Sequence, residues 1–196
     1  MKKRDAIWRE VLYQVMEKKR FQFTQKELAE RFSISVSTVF SALRIPRALN
    51  AVEVTGRYFR VRSPEKILYL WATLRNLKGD IVYQTHYPGD IFEIEGLMPE
   101  GVIYAAYSAF RKAFGEAPAD YDRVYVYSEE IGEVRRRFPL KRGYPNVIVL
   151  KADPFLKTYG PLSPLPQTFA DIWNLPEWYS QDFYLEIKRR MDELLA

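Results

Sequence analysis

The stretch that decides the fold is residues 25–44, Gln-Lys-Glu-Leu-Ala-Glu-Arg-Phe-Ser-Ile-Ser-Val-Ser-Thr-Val-Phe-Ser-Ala-Leu-Arg. Apolar residues recur every three or four positions in two separate runs, which predicts two short helices joined by a tight turn. The two helix faces that meet consist of Leu28, Ala29, Phe32, Val39, Ala42 and Leu43. Ile34 lies in the turn and fills the gap between the helices, and Ala29 is small enough to let them approach closely.

The second of these helices presents a mostly polar outer face. Ser35 stands directly before it, where a serine hydroxyl can satisfy free backbone N–H groups as an N-cap. The outward residues are Ser35, Val36, Ser37, Thr38, Ser41 and Arg44. This arrangement is typical of a helix-turn-helix, whose second helix enters the DNA major groove. The alternative is an ordinary helical corner, since Ser33 occupies the turn position that glycine often holds.

The charged residues are distributed unevenly along the chain. The whole sequence carries 30 Lys/Arg and 25 Asp/Glu, a net charge of +5. Residues 1–62 hold 14 Lys/Arg against six Asp/Glu, a net charge of +8, whereas residues 63–196 have a net charge of −3. A basic segment joined to a mildly acidic one indicates that one part of the chain meets phosphates.

A hairpin is predicted directly after the two helices. Residues 52–62, Val-Glu-Val-Thr-Gly-Arg-Tyr-Phe-Arg-Val-Arg, alternate apolar and polar side chains around Thr55-Gly56, a two-residue turn signal. The side chains expected to face the core are Val52, Val54, Phe59 and Val61. Those expected to face solvent are Tyr58, Arg60 and Arg62, with Arg57 near the tip. The alternative is a solvent-exposed hairpin whose arginines are incidental.

A third helix is predicted upstream, from Asp5 to Phe21, where apolar residues follow helical spacing. The order helix, helix, turn, helix and hairpin over residues 5–62 resembles the winged-helix family of transcription regulators. The resemblance implies that the outward residues of the second motif helix face base edges, with Val36 available for a thymine methyl group. It also implies that the phosphate backbone is held by Lys26, Arg47, Arg57, Arg60 and Arg62.

Residues 63–79 predict a linker helix. Ser63-Pro64-Glu65 combines an N-cap serine, a proline suited to the first helical position and an acid in the first turn. A continuous apolar stripe follows at Ile67, Leu70, Trp71, Leu74 and Leu77. We prefer the interpretation that this helix packs between two domains. The alternative is a dimerisation helix, and a homodimer on a palindromic site is usual for helix-turn-helix regulators.

Residues 80–196 alternate strand and helix patterns, which predicts a mixed α/β domain. Strands are expected at residues 80–87, 122–128 and 146–151, and residues 92–97 are ambiguous. Helices are expected at residues 102–114, 129–138, 167–175 and 180–195, with a proline-rich loop over 160–166. The predicted fold class is therefore α+β, with a winged helix-turn-helix domain at 1–62, a linker helix at 63–79 and an effector or partner-binding domain at 80–196.

Three segments of this second half are similar to the AbiEi-type antitoxin and regulator family. They are Glu-Gly-Leu-Met-Pro-Glu-Gly-Val-Ile-Tyr-Ala-Ala-Tyr-Ser-Ala-Phe (95–110), Tyr-Val-Tyr (125–127) and Thr-Phe-Ala-Asp-Ile-Trp-Asn-Leu-Pro-Glu-Trp (168–178). The resemblance implies a protein that joins an N-terminal winged helix to a partner domain and represses a toxin–antitoxin operon. It implies a regulator and leaves open whether a toxin partner exists.

The composition argues against several classes of enzyme. The absence of cysteine excludes disulfides, thiolate zinc sites and cysteine nucleophiles, and a single histidine, His86, cannot build a multi-histidine metal site. No phosphate-binding loop motif is present. A metal-dependent nuclease is a weak alternative, because Asp122 with Glu129 or Asp153 makes only a poor version of its acidic site. We expect no enzyme activity, no metal and no cofactor, and we interpret Asp171 as a helix start and Trp173 and Trp178 as core aromatics.

The expected function is that of a sequence-specific DNA-binding transcription regulator, a repressor whose partner is double-stranded DNA. The alternative is an antitoxin-type interaction protein that binds a protein partner through residues 80–196 and uses DNA binding for autoregulation. No run of 18 apolar residues occurs, so we expect a cytoplasmic protein without a membrane partner.

Overall fold

The first third of the chain forms a small helical unit closed by a short sheet. The structure is a computed structural model that describes residues 2–195, with side chains described up to Leu194. The elements of this part are α1 (Lys3–Lys18), β1 (Gln22–Phe23), α2 (Gln25–Arg31), α3 (Val36–Ala48), β2 (Val52–Val54) and β3 (Phe59–Val61). The helices predicted upstream and within residues 25–44 are all present, with the buried faces expected from their spacing.

The first sheet has the order β1-β3-β2 and is antiparallel throughout. Val54 pairs with Phe59, and the Thr55 N–H donates to the Tyr58 carbonyl at 2.8 Å. The turn is therefore centred on Gly56-Arg57, one residue later than the predicted Thr55-Gly56. The later turn keeps the apolar side chains of both strands on one face, which is the stronger constraint because one side of the hairpin is buried.

The rest of the chain mixes helices and strands, as predicted, so that the whole fold is α+β. Its elements are α4 (Pro64–Leu74), β4 (Ile81–Thr85), α5 (Ile91–Leu97), β5 (Ile103–Ala105), α6 (Ala106–Phe114), β6 (Val124–Ser128), α7 (Gly132–Arg137), β7 (Val147–Lys151), α8 (Leu165–Ile172) and α9 (Ser180–Leu195). The ambiguous segment 92–97 lies in α5, which Asp90 caps by accepting from the Glu93 N–H at 2.8 Å.

The second sheet has the order β4-β7-β6-β5, in which β6 and β7 run parallel and the other pairs antiparallel. The prediction of one helix over residues 102–114 is wrong in its first part, because Ile103–Ala105 pairs with Tyr125–Tyr127 as a strand. The chain then enters α6 without a loop, and Ala106 takes a φ of 48° at the junction. The Cβ of Ala106 bears the cost of this conformation, and because the residue is also fully buried, a larger side chain would have to displace its neighbours.

Helix α1 lies at the centre of the molecule, buried on nearly every side from Asp5 to Leu12. It packs against α3, α4, α8 and α9. One hydrophobic cluster therefore runs from Ile7 in α1 through Trp71 in α4 to Phe169 in α8, across the boundary predicted at residue 62. The division of the chain into segments 1–62, 63–79 and 80–196 stays a prediction.

The predicted linker helix is shorter than expected. Helix α4 packs between α1 and α8, as preferred, but it ends at Leu74, and a short 3-10 turn follows at Lys78–Asp80. Leu77 is buried outside the helix and Leu74 is exposed, so the stripe does not continue as predicted. Ile67 and Trp71 are buried within the same chain, which removes them from any dimer interface.

A buried ion pair fixes the end of α4 against α8 and the second sheet. The Arg75 Nε donates to Asp171 Oδ1 at 2.6 Å, and the Tyr127 hydroxyl donates to Asp171 Oδ2 at 2.6 Å. Burial raises the pKa of the Tyr127 phenol well above its ordinary value, so the hydroxyl stays a donor. Asp171 thus lies near the end of α8 as an ion-pair partner, and its interpretation as a helix start is wrong. Trp173 and Trp178 are exposed, so the interpretation as core aromatics is also wrong.

Candidate nucleic-acid interface

Thr24 and Ser35 are the N-caps at the starts of α2 and α3. Thr24 accepts from the Glu27 N–H at 3.1 Å, and Ser35 accepts from the Thr38 N–H at 3.3 Å, as the sequence predicted for Ser35. Ser33, between the helices, has a φ of 50°, the left-handed conformation that glycine adopts most easily. The turn is therefore made without glycine, and the polar Ser33 side chain remains exposed.

Helix α3 is tied to α1 by one specific hydrogen bond. Pro46 lies inside α3 and has no N–H to donate to the Ala42 carbonyl four residues earlier. The buried Trp8 indole takes that place, because its Nε1–H donates to the Ala42 oxygen at 2.9 Å. A gap in the helical hydrogen-bond ladder is thereby filled from the neighbouring helix, which fixes α3 along and around its axis relative to α1.

The outward face of α3 lies opposite its buried residues. The buried side comprises Val39, Ala42, Leu43 and Pro46. Of the side chains predicted to contact DNA, Thr38 is half-buried. The others are exposed: Lys26, Ser35, Val36, Ser37, Ser41, Arg44, Arg47, Arg57, Arg60 and Arg62. The fold brings these residues to α2, α3 and the β2–β3 hairpin, and their role in binding stays a prediction.

The hydroxyl groups at the start of α3 bond to one another. Ser35 Oγ lies 2.8 Å from Ser37 Oγ and 2.9 Å from Thr38 Oγ1, in addition to accepting from the Thr38 N–H. These hydroxyls therefore already serve the helix cap. They offer less to an outside ligand than the sequence pattern suggested.

An exposed aromatic side chain, Phe40, was missed in the sequence. Phe40 and Val36 are each 48% exposed although both are apolar, and they lie four residues apart on one face of α3. Arg44 and Arg47 continue the same stripe, and the Arg47 guanidinium lies 5.9 Å from the Phe40 ring centre. The spacing of residues 36, 40, 44 and 47 along the helix indicates that Phe40 lies on the same exposed side as Arg44 and Arg47.

The basic side chains of this region differ in how far they are neutralised. Arg62 donates to Glu53 at 2.7 Å, and Lys26 lies 3.8 Å from Glu30. Within residues 2–195, Arg44, Arg57 and Arg60 make no ion pair with an acidic side chain. Helix α3 itself contains no acidic residue. The basic side chains of this region without an acidic partner thus lie on α3 and on the β2–β3 hairpin.

Other arginines of the basic segment are neutralised by carboxylates, Arg9 in the interior and Arg31 at the surface. Arg9 donates to both Asp153 oxygens, at 2.6 and 2.8 Å, and Arg31 pairs with Glu10 at 2.9 Å. Burial raises the pKa of Asp153, but the hydrogen bonds and charge of Arg9 outweigh that effect and hold it below its usual value. The net charge of +8 over residues 1–62 therefore overstates what their surface presents.

The carboxylates considered for a nuclease site are engaged elsewhere. Asp153 is held by Arg9, and Asp122 accepts from the Tyr179 hydroxyl at 2.6 Å. Among residues 2–195, no group of three or more His, Asp or Glu side chains is placed to hold a metal ion. His86 lies with Nδ1 3.0 Å from the Tyr144 carbonyl oxygen, a contact that ties two loops together.

A cluster of tyrosines around Glu177 holds the second half of the chain together. The Glu177 carboxylate accepts from the Tyr107 hydroxyl at 2.9 Å, from Tyr125 at 2.8 Å and from Arg123 at 2.5 Å. Burial raises the pKa values of Tyr107 and Tyr125, so both hydroxyls remain protonated donors. These contacts join residues more than fifty positions apart, so they could not be predicted from local sequence patterns.

Comparison with known proteins adds no relative. No protein-family model matches this sequence, and no curated protein or solved structure is significantly similar to the chain. The resemblance to winged-helix and AbiEi-type regulators therefore stays a prediction. No helix in the described part of the chain is both long and apolar enough to cross a bilayer.

The Trp8–Ala42 hydrogen bond is open to a double-mutant test. Trp8→Phe removes the donor to the Ala42 carbonyl, and we expect it to lower the free energy of unfolding by about 1–3 kcal/mol, together with the cost of the smaller ring. In a Pro46→Ala background residue 46 regains an N–H that can reach that carbonyl. Trp8→Phe should therefore cost about 1 kcal/mol less there.

The measurement is urea unfolding of the four proteins, followed by circular dichroism. The loss of ring volume is common to both backgrounds and cancels in the cycle. Strictly additive effects of the two substitutions would mean that the indole does not replace the missing helical donor.

Proposed function

We propose that residues 1–62 act as a winged helix-turn-helix and that the protein is a sequence-specific regulator of transcription that binds double-stranded DNA. The observation that carries the proposal is the outward face of α3. It is exposed, free of acidic residues and carries Arg44, while the following hairpin carries Arg57 and Arg60, and none of the three has an acidic partner. The order of helices and strands, with the sheet order β1-β3-β2, supports the same assignment.

In the proposed complex α3 enters the major groove and the β2–β3 hairpin lies beside it. Arg44 would face base edges, because it follows Val36 and Phe40 along the outward stripe. The side chains that would hold phosphates are Lys26, Arg47, Arg57, Arg60 and Arg62. Five such contacts give a slope of log K against log salt of about −4.5.

Charge substitution with a matched control tests this docking. Arg60→Gln removes one phosphate contact, so the salt slope should become shallower by about 0.9. Arg44→Glu places an acid against the DNA and should abolish detectable binding. Arg142→Gln, also exposed but in the second half of the chain, removes the same charge from another surface and should bind as the parent does.

The measurement is fluorescence anisotropy at several salt concentrations, on a duplex selected by the full chain from a random library. Equal effects of Arg60→Gln and Arg142→Gln would point to net charge alone and would contradict the docking. Failure of the parent protein to bind any duplex at low salt would contradict the proposed function itself.

A second candidate function is an antitoxin-type protein that binds a protein partner through residues 80–196. The observation that favours it is a group of side chains that we call the aromatic patch: the exposed Tyr144 and Trp178, with the largely buried Arg123. Trp178 is 79% exposed and Tyr144 is 64% exposed. The Arg123 guanidinium lies 4.1 Å from the Tyr144 ring centre and pairs with Glu177, the residue before Trp178. Exposed aromatic groups of this kind are enriched at protein interfaces.

The two candidates are separated by substitutions in the aromatic patch. Trp178→Ser combined with Tyr144→Ser should abolish co-purification of a defined partner from the native cell while DNA affinity stays at the parent value. Leu74→Ser, which also removes an exposed apolar side chain, serves as the control and should retain the partner. Identical sets of co-purified proteins for the parent and the double variant would contradict a partner site at this patch.

A further inference from the structure

The outward face of α3 carries an apolar pair that the fold itself does not use. Val36 and Phe40 are separated by one helical turn and both are about half-exposed, and by helical phase they lie at the edge of the buried face formed by Val39, Ala42, Leu43 and Pro46. A half-exposed aromatic ring gains only about half of the free energy that full burial would give it. Adjacent exposed apolar side chains that are rimmed by charged residues are a feature of interaction surfaces.

The polar groups near this pair are poorly suited to reading bases. The hydroxyls of Ser35, Ser37 and Thr38 bond among themselves and to the Thr38 N–H. A hydroxyl that leaves the cap to bond a base weakens the cap, so little is gained. Arg44 is then the one long polar side chain in the stripe between Phe40 and Arg47.

The charges around the pair identify the class of ligand. Helix α3 has no acidic residue, Arg44 and Arg47 continue the stripe, and Arg47 packs against the Phe40 ring. A surface that is apolar at its centre and only positive at its rim fits a polyanion that also presents apolar groups. A second copy of the same surface would place arginines against arginines.

Double-stranded DNA presents one such apolar group in its major groove, the C5-methyl group of thymine. Residues four apart on a helix are separated by about 6 Å along its axis. That distance corresponds to about two base steps of 3.4 Å. Val36 and Phe40 can therefore each meet a methyl group on thymines that are about two steps apart.

We propose that Phe40, together with Val36, is a specificity-determining residue that recognises thymine methyl groups, so that α3 selects its target by apolar contacts as much as by hydrogen bonds. This inference rests on the proposed function, and it assigns the sequence class of the site: thymines under the first half of α3, next to the bases that Arg44 reaches. Phe40 contributes the larger share because its ring covers more of the methyl surface than Val36 can.

Replacement of thymine by deoxyuridine tests the inference, since it deletes the methyl group and leaves every hydrogen-bonding group of the base in place. The DNA is the duplex selected by the full chain, with each thymine replaced in turn. Each methyl group that is contacted should contribute about fourfold in Kd, the value of one buried CH2-sized group. We expect this loss only at the thymines that meet Val36 and Phe40, at most about two for each copy of α3.

The protein variants assign the effect to Phe40. Phe40→Ala should bind the parent duplex more weakly and should no longer discriminate thymine from deoxyuridine at the position that it contacts. Phe40→Leu keeps an apolar side chain and should retain part of the discrimination. Ile45→Ala removes an exposed apolar residue about 180° around α3 from Val36 and should leave the discrimination intact. Circular dichroism verifies that each variant is folded.

The outcomes separate the inference from the proposed function. Tight binding by the parent with no loss at any deoxyuridine would overturn the inference and leave DNA binding standing. Unchanged discrimination in Phe40→Ala would overturn it as well. A parent dimer that becomes monomeric in Phe40→Ala, with DNA affinity unchanged, would assign the face to contact between copies. Absence of binding to any duplex would overturn both.

Discussion

The hydrogen bond from the Trp8 indole to the Ala42 carbonyl is the interaction on which the geometry of the N-terminal surface depends. Pro46 deprives α3 of one internal hydrogen bond, and α1 supplies the missing donor from a fully buried tryptophan. A proline in a helix is costly when the carbonyl it frees finds no partner. Here the same proline makes the position of α3 depend on α1.

Helix α1 is itself held in place by polar contacts with the second half of the chain. Arg9 binds Asp153 after β7, and Glu10 accepts from the Tyr159 hydroxyl. Glu17 accepts from the Leu165 N–H at the start of α8 at 2.8 Å. Burial raises the pKa of Tyr159 to about 12, so this hydroxyl remains a donor to Glu10. Hydrogen bonds thus connect the helix that holds α3 to residues that follow β7 and to the start of α8.

The parts of the fold with a local cause could be predicted from the sequence. Apolar spacing located α1, α2 and α3, and the hydroxyl of Ser35 marked the start of α3. Errors arose where a distant contact decides the outcome: pairing with β6 makes Ile103–Ala105 a strand, and the buried face of the hairpin moves its turn to Gly56-Arg57. The carboxylates Asp171 and Glu177 gain their partners only through the tertiary fold.

The candidate site divides in the same way. Its arginines could be predicted because charge and helical phase are both local properties of the sequence. The mutual hydrogen bonds of Ser35, Ser37 and Thr38 could not, because they depend on side-chain torsions. Phe40 received no role in the sequence interpretation, although its position on the helix places it outside with Val36 and Arg44.

The most direct test of the account is a map of backbone amide chemical shifts of the full chain, recorded while duplex DNA is added. The account predicts that the largest chemical-shift changes fall in residues 35–47 and 56–62. The chemical shifts of amides around Trp71 in the hydrophobic core should not change. Changes confined to residues 80–196, with α3 and the hairpin unaffected at saturating DNA, would contradict it.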